Sequence, residues 1–298
     1  MATKGLVFLD SKNAILLETL QSRLLEGNRD ECEFEFSDFD DVSYRVLCQG
    51  DNIKVNISMR GLNELRSSGT DLVIDRLFPG LEVNPDPKYD FAIQFNISSI
   101  SNPQKLLTDI SELKRNLLSG PIEVAFDALL SKTSNHLPIT IINYRPNETI
   151  FVCPAPAKIV VIFLVDFNDI TDKSLARIFL QEFVEAQRSI RTAPPVNFSR
   201  EPPLELANLR FTYNPDATGF LSFGLEERHI TGDKKQTAIT LLTGFRSYLY
   251  YHIKCSKTYL HMRMRKKVAG WLQVLNRARP EIETEKKTMG GKTFVRKP

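Results

Sequence analysis

The segment from Lys234 to Pro280 limits the possible folds of this chain more than any other segment. Its apolar residues recur at three- and four-residue steps, which is the spacing of one face of a helix. A single helix of that length reaches about 70 Å, more than twice the width of a small domain. We therefore predict one long helix that its own domain covers only in part. Gly270 leaves open a kink or an end that would divide the segment into two helices.

The same segment is strongly basic. It holds eleven Lys and Arg residues and no Asp or Glu, whereas the whole chain of 298 residues has a formal net charge of +3. Residues 1–233 carry 23 basic and 33 acidic side chains, so the rest of the chain is mainly acidic. A block of one charge sign on a helix indicates an acidic partner, either nucleic acid or an acidic protein surface. A merely solvated face is the alternative.

The apolar face of the predicted helix changes direction near Leu260. At 100° per residue, the residues up to that point lie within about 60° of one direction, and the chain's own sheet can cover them: Ala238, Leu241, Leu242, Phe245, Leu249, His252, Ile253, Tyr259 and Leu260. Beyond Leu260 the apolar residues centre about 100° away, and Arg263 and Lys267 take over the earlier direction. We interpret this shift as a change of packing partner.

The remaining sequence repeats one order of elements. The first half predicts a helix at 13–25, strands within 31–39, 42–49 and 53–60, a helix at 62–78, a strand at 91–98, and helix at 103–131 with a break near Gly120 and Pro121. The second half predicts strands at 139–144, 149–154 and 158–167, a helix at 174–190 opened by an Asp or Ser cap, a strand at 220–226, and the long helix.

This repetition predicts an α+β fold with two similar α/β domains, each a mostly antiparallel sheet with helices on one face. The boundary falls near 131–138, which gives domains 1–135 and 136–298. The proline-rich connector 191–206 is either an ordered extended loop or a plain linker. The polar tail 281–298 is expected to be mobile unless a partner captures it.

No group of residues predicts catalysis. The GGKT run of the tail lacks the glycine that a phosphate-binding loop needs five residues before Gly291, since Lys286 stands there. The cysteines have no CxxC spacing and are expected to be reduced, and the histidines are too scattered for a shared metal: His136, His229, His252 and His261. No signal peptide or membrane span is predicted. We expect a soluble, intracellular, non-enzymatic protein without a cofactor or metal.

Six stretches of the sequence are recognisable together: FSDFDDVSY (36–44), FLQEFVEAQRSIRTAP (179–194), REPPLEL (200–206), YYHIKCSKTYLHMRMR (250–265), VLNRARP (274–280) and GKTF (291–294). In that order, and over nearly the whole chain, they resemble the family of subunit 2 of the actin-related protein 2/3 complex, the branched-actin nucleator. The resemblance implies two α/β domains and a long C-terminal helix that pairs with a long helix of the fourth subunit. It also implies contact with the mother filament, and nucleotide binding by other subunits.

The residues and the resemblance together predict a non-catalytic scaffold and filament-binding subunit of the cytoplasmic actin cytoskeleton, at the cell cortex and in projections. We expect the helix of the partner subunit to pack on Leu260, Met264, Val268, Trp271, Leu272 and Leu275. We expect the actin filament, whose surface is acidic, to contact Arg263, Arg265, Lys266 and Lys267. The alternative is a nucleic-acid-binding protein that uses the same basic helix, with tyrosines for base stacking: Tyr248, Tyr250, Tyr251 and Tyr259.

Overall fold

The computed structural model describes residues 10–190 and 192–277 and the short strands at 286–287 and 293–294. The chain divides into two units, Met1–Ile253 and Lys254–Pro298. The first unit contains two five-stranded antiparallel sheets with helices, and the long C-terminal helix is present, as the predicted α+β fold requires.

The first sheet has the strand order β1-β2-β3-β5-β4, and every neighbouring pair is antiparallel. Its elements follow the predicted order, apart from the two-residue strand β4, which the sequence did not indicate. They are α1 (Ala14–Leu24), β1 (Cys32–Ser37), β2 (Ser43–Gln49), β3 (Asn52–Ser58), α2 (Leu62–Leu65), α3 (Asp71–Leu77), β4 (Glu82–Val83), β5 (Phe91–Asn96), α4 (Pro103–Ser111) and α5 (Leu113–Leu130).

The second sheet repeats this arrangement with the order β6-β7-β8-β10-β9. Its elements are β6 (Thr140–Arg145), β7 (Glu148–Pro154), β8 (Ile159–Val165), α6 (Ile170–Ser189), β9 (Val196–Ser199), β10 (Gly219–Leu225), α7 (Glu227–Ile230) and α8 (Lys234–Arg277), and the short pair β11 (Lys286–Lys287) and β12 (Thr293–Phe294) follows. The repeated element order is confirmed. The division into domains 1–135 and 136–298 stays a prediction.

The central strands of the second sheet are buried on both faces. Every residue of β8 is buried. One face joins the main apolar core, and the other packs against Leu206, Ala217 and their neighbours in the segment that follows β9. Because residues 192–206 of this connector include strand β9 and the buried Leu206, this part is an ordered segment and not a plain linker.

The predicted break at Gly120 and Pro121 is wrong, since α5 runs through both residues. Proline has no N–H, so the carbonyl of Leu117, four residues earlier, loses its normal helical donor. The hydroxyl of Thr70 donates to that carbonyl at 2.8 Å and replaces the missing bond. The interruption lies instead at Glu112, between α4 and α5.

The helix predicted at 62–78 is interrupted at Gly69, which separates α2 from α3. Gly69 has a φ of +115°, a conformation that side-chain-bearing residues rarely adopt. A Cβ at Gly120 would lie 2.5 Å from the backbone of Thr70, so the two segments approach closely because glycine is present. In the second half, α6 begins at Ile170, earlier than predicted, because Asp169 caps the backbone N–H groups of Thr171 and Asp172.

The tail 281–298, predicted to be mobile unless a partner captures it, lies mostly outside the described residues. Of 281–298, the structure describes only strands β11 and β12, which pair antiparallel.

Candidate functional site

The candidate site is the long helix α8, and its first half is part of the core. The buried residues of α8 are Ile239, Leu242, Phe245, Arg246, Leu249 and Ile253. Phe245 lies at the centre of this contact, with its ring centroid 4.8 Å from that of Phe163 on β8 and 5.3 Å from that of Phe223 on β10. Apolar side chains at helical spacing therefore pack this half of α8 on the second sheet.

A buried ion pair also holds the first half of α8. Nε of Arg246 lies 2.8 Å from both carboxylate oxygens of Glu148 on β7, and both side chains are almost fully buried. The Arg246 guanidinium lies 4.3 Å from the centre of the Phe167 ring. Burial raises the pKa of Glu148 and outweighs the opposing effect of Arg246 and Arg145. Arg246 thus belongs to the core, although it is one of the eleven basic residues that we counted in the segment 234–280.

Further charges extend this pair toward the first sheet. Arg145 on β6 lies 3.2 Å from Glu148 and 3.0 Å from Asp40, which sits in the turn between β1 and β2. Lys114 on α5 lies 2.8 Å from the same Asp40. Near the start of α8, Lys235 pairs with Asp127 of α5. These contacts tie both sheets and the first half of α8 together within the first unit, so part of the helix's basic charge is already neutralised.

The covered stripe ends at Ile253, earlier than the sequence predicted. Tyr259 is 57% exposed and Leu260 is 37% exposed. Leu241, also predicted to be covered, is 49% exposed because it lines a groove of about 930 Å³. Apolar and aromatic side chains from three helices share that groove, which periodicity along one helix could not reveal: Leu77, Phe183, Leu241, Phe245 and Tyr248.

The second half of α8 presents the predicted apolar stripe to solvent. The helix passes through Gly270 without an end. Six apolar side chains share an arc of about 120° on its surface at 100° per residue, and they are between 37% and 68% exposed. We call them the apolar stripe: Leu260, Met264, Val268, Trp271, Leu272 and Leu275. Monomeric proteins seldom expose continuous apolar patches of this kind, which mark interaction sites.

The four basic residues of the predicted filament site surround the stripe and do not form one separate face. On the same helical count, Arg263 and Lys267 border one edge of the stripe, Arg265 borders the other, and Lys266 lies opposite. All four are exposed. Arg263 donates to the hydroxyl of Tyr259 at 3.2 Å and lies over its ring. The second half of α8 therefore carries one apolar stripe with cationic side chains along both edges and one on the opposite side.

Within the described ranges, no group of three or more His, Cys, Asp or Glu residues could hold a metal ion. No helix in this part of the chain is long and apolar enough to cross a membrane. Among the scattered histidines, His229 has a structural role, since its Nδ1 accepts the backbone N–H of Glu226 at 3.0 Å and caps α7. His252 stacks on Phe179. The GGKT run lies largely outside the described residues.

Comparisons with known proteins identify the family of this chain. The family model described as Arp2/3 complex, 34 kD subunit p34-Arc, matches residues 55–282. A Schizosaccharomyces pombe protein named actin-related protein 2/3 complex subunit 2 is 34% identical, over 97% of this chain and 99% of its own length. A Dictyostelium discoideum protein of the same name is 36% identical, again over 97% of this chain and 99% of its own. The chain therefore belongs to the p34-Arc family, the 34 kD subunit of the Arp2/3 complex.

Proposed function

We propose that this chain is a non-catalytic scaffold subunit of the actin-related protein 2/3 complex, and that it supports nucleation of branched actin filaments. The observation that carries the proposal is the division of α8. The first half is fixed in the core by apolar packing and a buried ion pair, whereas the second half exposes a stripe of six large apolar side chains. A fixed base and an uncovered apolar stripe are suited to binding another subunit.

The proposed occupant of the stripe is a long helix of the fourth subunit. The segment from Lys254 to Arg277 spans about 36 Å as a helix, enough for an extended helix pair. Its apolar side chains recur at three- and four-residue steps, which is the spacing that packs into a facing helix. Burying each large side chain contributes roughly 1.5–3 kcal/mol before the cost of association. Trp271, as the largest and most exposed member, is the expected anchor.

The proposed filament contact uses the basic residues around the stripe. Arg263 and Lys267 lie beside the stripe, and Lys266 lies on the opposite side of the helix, where a packed partner helix would leave it accessible. Cations on an exposed helix attract an acidic filament and accelerate its binding. From this proposed filament binding we infer that the protein is located in the cytoplasmic actin cytoskeleton, including the cell cortex and projections.

Co-expression with the other subunits tests the scaffold proposal. The double substitution Trp271→Asp and Leu275→Asp places two charges in the stripe and is expected to prevent the chain from co-purifying with the fourth subunit. The matched control is Met262→Asp, because Met262 is 63% exposed on the same helix but points away from the stripe. The control should assemble like the wild type.

Two further measurements, of thermal unfolding and of nucleic-acid binding, complete this experiment. The double variant should keep the wild-type thermal unfolding of its sheets, because both substituted residues are exposed and outside the first unit. Assembly of the double variant at wild-type affinity would refute the proposed interface. A wild-type chain that binds DNA or RNA with a steep salt dependence and ignores filaments would support the nucleic-acid alternative instead.

A further inference from the structure

Two cysteines face each other across the first two strands of the first sheet. Cys32 opens β1, and its direct partner in the antiparallel register is Cys48 of β2. Directly opposed residues of such a ladder have Cα atoms about 4.5–5.5 Å apart. Disulfides span Cα separations of about 4.4–6.8 Å, so this backbone position satisfies their main geometric requirement.

The side chains of both cysteines lie on the same face of the sheet. Opposed residues point to the same side, and the neighbouring pair Phe36 and Tyr44 confirms this with ring centroids 5.0 Å apart. Cys48 is buried in the core, and Cys32 packs against that core while part of it remains exposed. Cys32 is thus the more accessible residue of the pair, and Cys48 is its direct partner on the same face.

A buried arginine contacts the sulfur of Cys32. Nη2 of Arg23, on α1, donates to Sγ of Cys32 at 3.1 Å, and Nη1 of the same group donates to the carbonyl of Asp30 at 2.6 Å. Cys32 is also the more exposed of the two residues, so a reagent in solution reaches it first. Burial, followed by the hydrogen bond with Cys32, raises the pKa of Cys48 to about 12. Cys48 is therefore a poor first nucleophile, and Cys32 is the residue that reacts first.

We propose that Cys32 and Cys48 are a redox-sensitive pair that forms a reversible cross-strand disulfide with oxidised glutathione or a similar small disulfide. Cys32 attacks the small disulfide, forms a mixed disulfide and releases one thiolate. Cys48 then loses its proton and attacks Sγ of Cys32, which releases the second small thiol. Two cysteines are oxidised and one small disulfide is reduced to two thiols, so atoms and electrons balance.

The disulfide would close the open end of the β1–β2 hairpin. The other end of this hairpin is already fixed, because Asp40 in its turn pairs with Lys114 and Arg145. Among the described strands, β1 lies at the edge of the sheet and pairs only with β2. Oxidation would therefore tie this edge to the sheet covalently, and reduced glutathione would release it. In a glutathione-buffered compartment the pair rests as two thiols.

The test uses the full-length folded chain in buffers of increasing oxidised-to-reduced glutathione ratio. Samples are alkylated with N-ethylmaleimide, digested without reduction and analysed by mass spectrometry. We expect a linked peptide pair that contains Cys32 and Cys48, is lost on treatment with dithiothreitol, and accounts for most of the Cys32 signal at the oxidised end. Hydrogen exchange of β1 should slow in the oxidised chain.

Substitutions identify the order of reaction. Cys48→Ala should leave Cys32 as a mixed disulfide with glutathione, and Cys32→Ser should abolish the linked peptide. The control, Cys255→Ser, changes an exposed cysteine elsewhere and should leave the linked peptide unchanged. The proposal is overturned if both thiols of the wild-type chain stay free while Cys255 becomes glutathionylated. It is equally overturned if wild-type Cys32 stops at the mixed disulfide, or if the link forms only in urea.

Discussion

Replacing Arg246 by methionine tests whether the buried ion pair fixes the first half of α8. The substitution keeps an unbranched side chain but removes the charge, and it leaves the carboxylate of Glu148 buried. Breaking one partner of a buried pair costs about 3–5 kcal/mol. Glu148 keeps Arg145 at 3.2 Å and the backbone N–H of Asp166 at 2.9 Å, so we expect the lower end of this range.

Thermal unfolding followed by circular dichroism measures this loss. About 3 kcal/mol corresponds to a fall in Tm of roughly 6–12 °C for a unit of this size. The matched control, Arg265→Met, removes an exposed arginine from the same helix and should change stability by no more than about 0.5 kcal/mol. The double variant Arg246→Met with Glu148→Gln should recover part of the loss, because no uncompensated charge remains buried.

The pH dependence of the variant adds a second check. Arg246 opposes the rise that burial causes in the pKa of Glu148, so its removal raises that pKa further. A carboxyl group whose folded pKa is raised stabilises the fold at low pH and loses that contribution as the pH rises through the folded pKa. The deficit of Arg246→Met should therefore shrink on acidification. A deficit below about 1 kcal/mol at neutral pH, or one that grows on acidification, would refute the reasoning.

Three further predictions test other parts of the account. Charge reversal to Glu at Arg263, Arg265, Lys266 and Lys267 should leave assembly intact. It should weaken filament binding, measured by co-sedimentation, by roughly 1–4 kcal/mol, or about five- to several-hundred-fold. Normal filament binding and branching would mean that the contact lies elsewhere. Burial and Arg228 lower the pKa of His229, whose neutral Nδ1 caps α7, so the Tm should fall as the pH drops below the ordinary histidine range. The variant His229→Asn should show a smaller fall. If the variant and the wild type have the same dependence of Tm on pH, the cap is not its source. Gly120→Ala should lower the free energy of unfolding by about 1–3 kcal/mol, because the new Cβ would lie 2.5 Å from Thr70. The control Gly270→Ala should not destabilise the fold, because no atom lies within 4 Å of its new Cβ. Equal Tm values for the two variants would contradict the close contact at Gly120.

Local sequence signals predicted most of the fold. The alternation in residues 32–37 and the apolar run at 159–165 predicted β1 and β8, because side-chain burial in a sheet follows a two-residue period or covers a whole strand. The break predicted at Pro121 was wrong for a non-local reason. Thr70, distant in sequence, supplies the hydrogen bond that the proline removes. Propensity along one segment contains no information about such a contact.

The candidate site was predictable in part for the same reason. Helical spacing identified the residues of the apolar stripe, and the structure places them together on one exposed side of α8. Spacing could not show that burial ends at Ile253, since burial depends on which other elements pack against the helix. Charge counting also included Arg246, whose partner Glu148 lies on another strand. Sequence periodicity predicts the direction in which a side chain points from the helix, whereas its burial depends on which other elements pack against it.

Hydrogen exchange of α8 measures whether another subunit covers its second half, because it compares the same backbone amides in the isolated chain and in the assembled complex. Single helices without tertiary packing are marginally stable in water, so peptides within 260–277 should exchange quickly in the free chain. Peptides within 239–253 should be protected in both states, because this half of α8 is buried. We predict strong new protection over 260–277 on assembly with the fourth subunit. Unchanged exchange over 260–277 in a fully assembled complex would contradict it.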